Sequence, residues 1–496
     1  MTARNDAQRG KPAAARPGNG PRRRDARATR AGEPAAARPR NGPRRRDACA
    51  TKAGKPAATR PGNGPGWRLP LLACLLWILV CATSCRGGPS DSPAANSLTL
   101  TNGIRVVSVC FPGSTNAAIF TYLPMGLAGD GPSQAQWAHL VEHLVIRSTQ
   151  AGDLSQANAE TLPNHMRLDF YGNLGNWREG LSLHRRWLQG VPFTQASLEA
   201  EKPKVAAECD FTARNFATHK FALAAWAQGY RHGQKQAALK QDVARASLAD
   251  IQAYRDSRLA LLSNAVVCIA GGLDSAQTLP AAAAGLGTIG SRATPAPPVQ
   301  LHPGRHEMTW DLPARHLVLT WPIPPAPADD YPALLAAAQW LNMQLFSDPE
   351  LKKMAGLALA GADLCTPEGN FFFISACLRP GATFQGLEQR LERPLQRLTS
   401  PDQDLSLLPL LGRQLAERLT QVPNPSLLRR QPLPPGVTPA MVELNLGLQW
   451  GMNEFLYGPH KEALARQLSK LTAEQVCQAA RKFLAPAHES VVTLEP

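Results

Sequence analysis

From about residue 97 the chain switches between hydrophobic patterns of period two and period 3.6. "LTLTNGIRVVSV" (98–109) is two alternating runs around Asn102-Gly103 and predicts a β-hairpin, and "AAIFTYLPMG" (117–126) predicts a further strand. Helical spacing follows over roughly 134–150, 176–188, 204–230 and 246–257, with "LSNAVVCIAGGL" (262–273) as a closing strand. Residues 275–304 break the periodicity with Pro, Ala and Gly, which predicts a linker. The order then recurs: strand "HLVLTWPI", a helix from Tyr331 to about Phe346, strand "NFFFISACL", a helix over 384–398, and late helices ending at "TAEQVCQAARKFL". The pattern predicts an α+β protein of two tandem homologous α/β units, each an antiparallel-rich sheet packed with helices.

The first 66 residues are different in kind. Segments beginning at Gly10, Gly32 and Gly54 repeat with a period of 22 and carry almost no apolar side chain larger than Ala. Such a stretch cannot offset the entropy of ordering and is expected to be disordered. It is read as a solvated leader or an upstream repeat translated from a misplaced start, with an RNA-binding arm as the alternative. Residues 67–85 contain "LPLLACLLWILVCATSC", short for a bilayer span but suited to a signal-peptide core. Its close on Ala82, Thr83, Ser84 and Cys85 resembles a bacterial lipoprotein signal, with Cys85 the lipidation candidate and mature N-terminus. Ala82 replaces the usual Leu, so simple cleavage and a retained anchor stay open. Residues 86–96 read as a tether. The mature chain is expected outside the cytoplasm, as a periplasmic or outer-membrane lipoprotein of the cell envelope.

Charge changes the picture only after it is located. The 496 residues carry 53 Lys+Arg against 38 Asp+Glu, a net +15, but residues 1–68 hold 18 of the former and 4 of the latter. The remainder is nearly neutral, so the folded part lacks the basic footprint of a nucleic-acid binder, and no nucleic-acid partner is expected. Of the 10 cysteines, Cys110, Cys209, Cys268, Cys365, Cys377 and Cys477 lie beyond the leader, scattered and without a C-x-x-C pair. Buried free thiols are expected of them.

Three motifs bear on chemistry. Gly285-Leu286-Gly287-Thr288-Ile289-Gly290 has the form G-x-G-x-x-G, but the prolines after it forbid the helix that a pyrophosphate site requires. No G-x-S-x-G nucleophile motif occurs. The third is His139-Leu140-Val141-Glu142-His143. Histidines four apart on a helix leave one face a turn apart, as two ligands of a tetrahedral Zn²⁺ require, and Glu142 reaches the same neighbourhood as a base. Chance would produce such a pattern on the order of 0.01 times in a chain of this composition. The plainer alternative is a polar helix face with an incidental His pair. Glu199, Glu201 and Glu208 are all available as a third ligand, and composition does not choose among them.

With these residues in view, the chain resembles the inverted zincins of the insulinase/pitrilysin type, a family that includes the mitochondrial processing peptidases, over residues 97–494. The opening hairpin, "HLVEHL", "NAET" (158–161), "FTQASLEAEKPKVAAE" and the second-half segment from Ala314 to Leu359 carry the likeness. The resemblance implies a catalytic zinc peptidase domain at 97–274 and, after the linker at 275–304, an inactive companion domain at 305–496. It implies one Zn²⁺ per chain, with His139, His143 and Glu208 as ligands and Glu142 as catalytic base. Glu201 would support the site from outside the ligand set. Pro203 is expected near a helix start, so that helix is predicted to begin at about Lys202. The family usually has Gly shortly before the first His; Gln136-Trp137-Ala138 stands there, which changes packing or substrate access beside the metal. Tyr457 is a candidate for the family's substrate-binding Arg/Tyr pair, which a different chain often supplies.

The implied activity is hydrolysis of peptides or unfolded segments by metal-activated water. The alternative is a catalytically inactive companion or scaffold subunit of an envelope peptidase complex. Two α/β units are half of the family's four-unit chamber, so a dimer with itself or a related inactive chain is expected, with membrane attachment through the N-terminal anchor.

Overall fold

The alternating runs become strands of two six-stranded sheets in a computed structural model that describes residues 93–149, 156–290, 300–366, 368–400, 405–422, 433 and 436–496. The basic repeats, the apolar segment with Cys85, the first part of the tether and residues 291–299 of the expected linker lie outside the described residues. β1 (Ala94–Thr99) and β2 (Arg105–Cys110) form the expected hairpin, reversing at Gly103, whose φ of +86° suits glycine. β1 therefore begins inside the stretch expected to be tether, at Ala94.

The first sheet adds β3 (Asn116–Leu123), β4 (Ala157–Thr161), β5 (Met166–Asn173) and β7 (Val266–Gly271) in the order β1-β2-β7-β3-β5-β4. The second contains β6 (Gln236–Ala237), β8 (Arg305–Trp310), β9 (Arg315–Ile323), β10 (Ala355–Thr366), β11 (Gly369–Leu378) and β12 (Ser490–Glu495) in the order β10-β11-β9-β12-β8-β6. Read from opposite ends the two orders coincide. The first sheet has one parallel pair, β2 with β7, and the second has two, β8 with β12 and the short β6 with β8; the other pairs are antiparallel.

Seven helices of the described first half are α1 (Trp137–Arg147), α2 (Trp177–Gln189), α3 (Gln195–Arg214), α4 (His219–His232), α5 (Leu239–Arg245), α6 (Leu248–Leu259) and α7 (Ser275–Leu286). The second half contributes α8 (Tyr331–Ser347), α9 (Pro349–Met354), α10 (Phe384–Thr399), α11 (Leu408–Thr420), α12 (Pro439–Tyr457), α13 (Lys461–Ser469) and α14 (Ala473–Phe483). Among the described residues, no helix is long and apolar enough to cross a membrane.

The lobes exchange a helix: α4 packs on β9 and β11, and α12 packs on β3 and β7. That exchange buries the second face of each sheet. Val442, Leu446 and Trp450 of α12 join Phe120, Tyr122 and Cys268 in one apolar cluster, and each such side chain contributes about 1.5–3 kcal/mol when fully buried. Glycines permit the close approach, since a Cβ on Gly451 would lie 2.6 Å from the Tyr122 ring. Glu454 of α12 pairs with Arg105 at 2.9 Å and also with Lys461, so the buried carboxylate is compensated.

Several expectations needed correction. The helix expected over 204–230 is two helices, interrupted near Phe216, which has a φ of +57°. The α3 helix begins at Gln195, not Lys202: Thr194 and Ser197 form a reciprocal capping box there, and Pro203 lies inside the helix. Residues 275–286 of the expected linker are helical because alanines favour the helix and Asp274 caps it, accepting the Ala276 N–H at 3.0 Å. The 285–290 glycine pattern thus sits at the end of that helix, not between a strand and a helix start.

Candidate metal centre

Helix α1 is aimed by a cap built outside it. Asp130 Oδ1 accepts the Ala138 N–H at 3.3 Å and Asp242 Oδ2 accepts that of Ala135 at 3.0 Å. Burial raises the Asp130 pKa to about 7, while the Tyr254 hydroxyl, 2.5 Å away, and Arg258 pull it back. One helical turn places the His139 and His143 rings 4.9 Å apart at 76°.

Each imidazole is gripped at Nδ1, by Gln136 Oε1 at 3.1 Å for His139 and by Glu201 Oε2 at 3.2 Å for His143. Both Nε2 atoms meet Glu208 on the crossing helix α3. Glu208 Oε2 lies 3.4 Å from His139 Nε2 and 3.5 Å from His143 Nε2. Ligands about 2.1 Å from a tetrahedral ion are separated by about 3.4 Å, so two imidazoles and this carboxylate fit zinc. Ligand atoms of His139, Glu142 and His143 also lie within 4.8 Å of one another. Glu142 is held on the other side by the Thr161 hydroxyl, which donates to Oε2 at 2.6 Å from the edge strand β4.

The three glutamates of α3 separate clearly. Glu199 is 57% exposed and pairs with Lys202 at 2.9 Å, away from both histidines. Glu201 is 5% exposed and receives Lys204 at 2.8 Å besides its contact with His143. Burial by itself would raise the Glu208 pKa, but the two imidazoles and Lys220, 3.8 Å away, hold it well below the usual range. Burial likewise pushes His143 down, and the surrounding Glu208, Glu142 and Glu201 outweigh it to leave its pKa raised. A cluster with this much negative charge around paired imidazoles is a cation site in chemical character.

Tyr457 does not join the centre. It is buried in the second lobe's core with its ring 6.3 Å from Tyr331, so it is not presented to a substrate. The counterpart of α1 in that lobe, α8, brings no His or Glu. Thr161, Lys220 and the Gln136 contact were not foreseen: the first two depend on which elements meet, though the quoted "NAET" strand contains Thr161, while the Gln136 contact is local and follows from the left-handed turn into α1. The six cysteines of the described residues are free.

No protein-family profile and no curated protein matches the chain. Solved structures do. A protease from Helicobacter pylori is 18% identical with a TM-score of 0.59, covering 82% of this chain and 100% of that one. A protein described as an M16-like peptidase from Alicyclobacillus acidocaldarius is 14% identical, with a TM-score of 0.56 and coverage of 83% and 99%. A peptidase M16 inactive domain from Pseudomonas fluorescens is 17% identical, with a TM-score of 0.57 and coverage of 81% and 98%. With its two sheets of matching strand order, the chain has the two-lobed fold of these M16-like peptidase structures.

Proposed function

We propose that this protein is a zinc-dependent endopeptidase in which His139, His143 and Glu208 hold one zinc ion and Glu142 is the general base. The observation that carries the reading is the convergence of Glu208 Oε2 on both imidazole Nε2 atoms, at 3.4 and 3.5 Å. Zinc, when bound, supplies a Lewis acid that polarises the scissile carbonyl and acidifies water. Glu142, fixed by Thr161, takes the proton of the attacking water and delivers it to the leaving amine. Glu201 orients His143 through Nδ1.

The substrate would be a peptide or an unfolded segment, with the half-chamber completed by a second copy or a related chain. The apolar segment of the sequence supports export to the cell envelope, anchored by lipidation at Cys85 or by the retained segment, or released by simple cleavage. An inactive companion subunit is the competing reading. Zinc content of the purified protein, chelator sensitivity of peptide hydrolysis, and the Glu142→Gln variant test the choice. One zinc per chain, loss of activity with chelator, and at least an about 10²-fold fall in Glu142→Gln with zinc retained are expected. A protein free of zinc and indifferent to chelator would support the companion instead.

A further inference from the structure

Gln136 occupies a costly position for its residue type. It precedes α1 with a φ of +68°, in the left-handed region where a residue with a Cβ is strained. It is also 1% exposed, so a long polar side chain has been stripped of water. Helix capping does not account for this, because the side chain makes no cap bond and Asp130 and Asp242 serve the neighbouring N–H groups.

What the side chain does touch is His139. Gln136 Oε1 lies 3.1 Å from His139 Nδ1, and Cys209 Sγ approaches the same oxygen at 3.9 Å. Its Nε2 is buried without a hydrogen-bond partner. An acceptor at Nδ1 keeps the imidazole proton there and leaves the Nε2 lone pair facing the Glu208 side of the cluster. A rotated carboxamide would present N–H to Nδ1, move the proton to Nε2 and aim it at the cation position. The Cys209 thiol on the oxygen side opposes that rotation.

We propose that Gln136 is a positioning residue of the metal centre, setting the tautomer and ring angle of His139, and that the strained backbone at this position is retained for that contact. The proposal rests on the zinc reading above. The test compares zinc affinity, by competition with a chromophoric chelator, in the full chain and in two variants. Gln136→Met keeps bulk and removes the acceptor; Gln136→Glu keeps an acceptor. Thermal unfolding of the metal-free proteins accompanies it, to separate binding from folding.

Expected results are an about 10- to 100-fold loss of zinc affinity in Gln136→Met, the range for an outer partner of a ligating histidine, and near wild-type affinity in Gln136→Glu. Wild-type affinity in Gln136→Met, or equal losses in both variants, would each overturn the assignment. If the wild type binds zinc that Glu208→Ala loses while Gln136→Met binds normally, this proposal alone falls. If the wild type takes no zinc, the zinc reading falls with it.

Discussion

Replacing the three glutamates of α3 one at a time with alanine should yield a graded series in zinc affinity, because one helix presents them to three different environments. Glu199 is 57% exposed and bonded to Lys202, a surface pair worth at most about 1 kcal/mol, so Glu199→Ala should bind zinc as the wild type does. Glu201 is 5% exposed and holds His143 Nδ1 at 3.2 Å. Losing a hydrogen bond to a charged group costs about 1.5–3 kcal/mol, or roughly 10- to 100-fold, which matches the usual effect of removing an outer partner of a metal-binding histidine. Glu208 Oε2 faces both Nε2 atoms, and its loss removes a ligand, so Glu208→Ala should exceed the about 100-fold upper end for an outer partner. Chelator competition on the purified proteins gives the three constants, and far-ultraviolet circular dichroism checks that α3 remains folded. A zinc-losing Glu199→Ala, or a Glu208→Ala no weaker than Glu201→Ala, would refute the ligand assignment.

Gly451→Ala should lower stability by about 1–3 kcal/mol, because the added Cβ meets the Tyr122 ring at 2.6 Å and Cys268 Cβ at 2.8 Å; an unchanged denaturant midpoint would contradict the packing of α12 on the first sheet. His184 is fully buried, with Nδ1 2.6 Å from Thr121 Oγ1, and burial drives its pKa down to about 3. The unfolded chain takes that proton near pH 6.5, so the contribution is complete above about 6.5 and is lost on acidification by about 1.4 kcal/mol per pH unit toward pH 3. His184→Gln should therefore flatten the acid limb of stability by about one proton in denaturant titrations between about pH 6 and pH 4, and an unaltered slope would be contrary evidence. Light scattering alongside activity on an unstructured peptide should show a dimer, or a pair with a related chain, as the active species; a fully active monomer would exclude the completed chamber.

Local geometry was legible in the sequence. Three and four residues along a helix lie on one face, so His139, Glu142 and His143 could be brought together without knowing anything else about the fold. The Asn102-Gly103 reversal and the doubled order of strands and helices are equally local signals, and both appear in the sheets. Hydropathy failed where burial depended on partners. Arg167 and Asp169 of strand β5 read as surface residues, yet they pair with each other at 2.8 Å inside the sheet. Pro280 hides the helix over 275–286 in an alanine-rich run whose cap, Asp274, stands just before it. Spacing does not separate Glu208 from Glu199, and only the family resemblance names Glu208; that it lies beside both imidazoles while Glu199 faces solvent depends on how α3 crosses α1, a rotation that no spacing within α3 records. Tertiary structure alone exchanged α4 and α12 between lobes, because contacts distant in sequence are set by how whole faces pack rather than by the residues beside them.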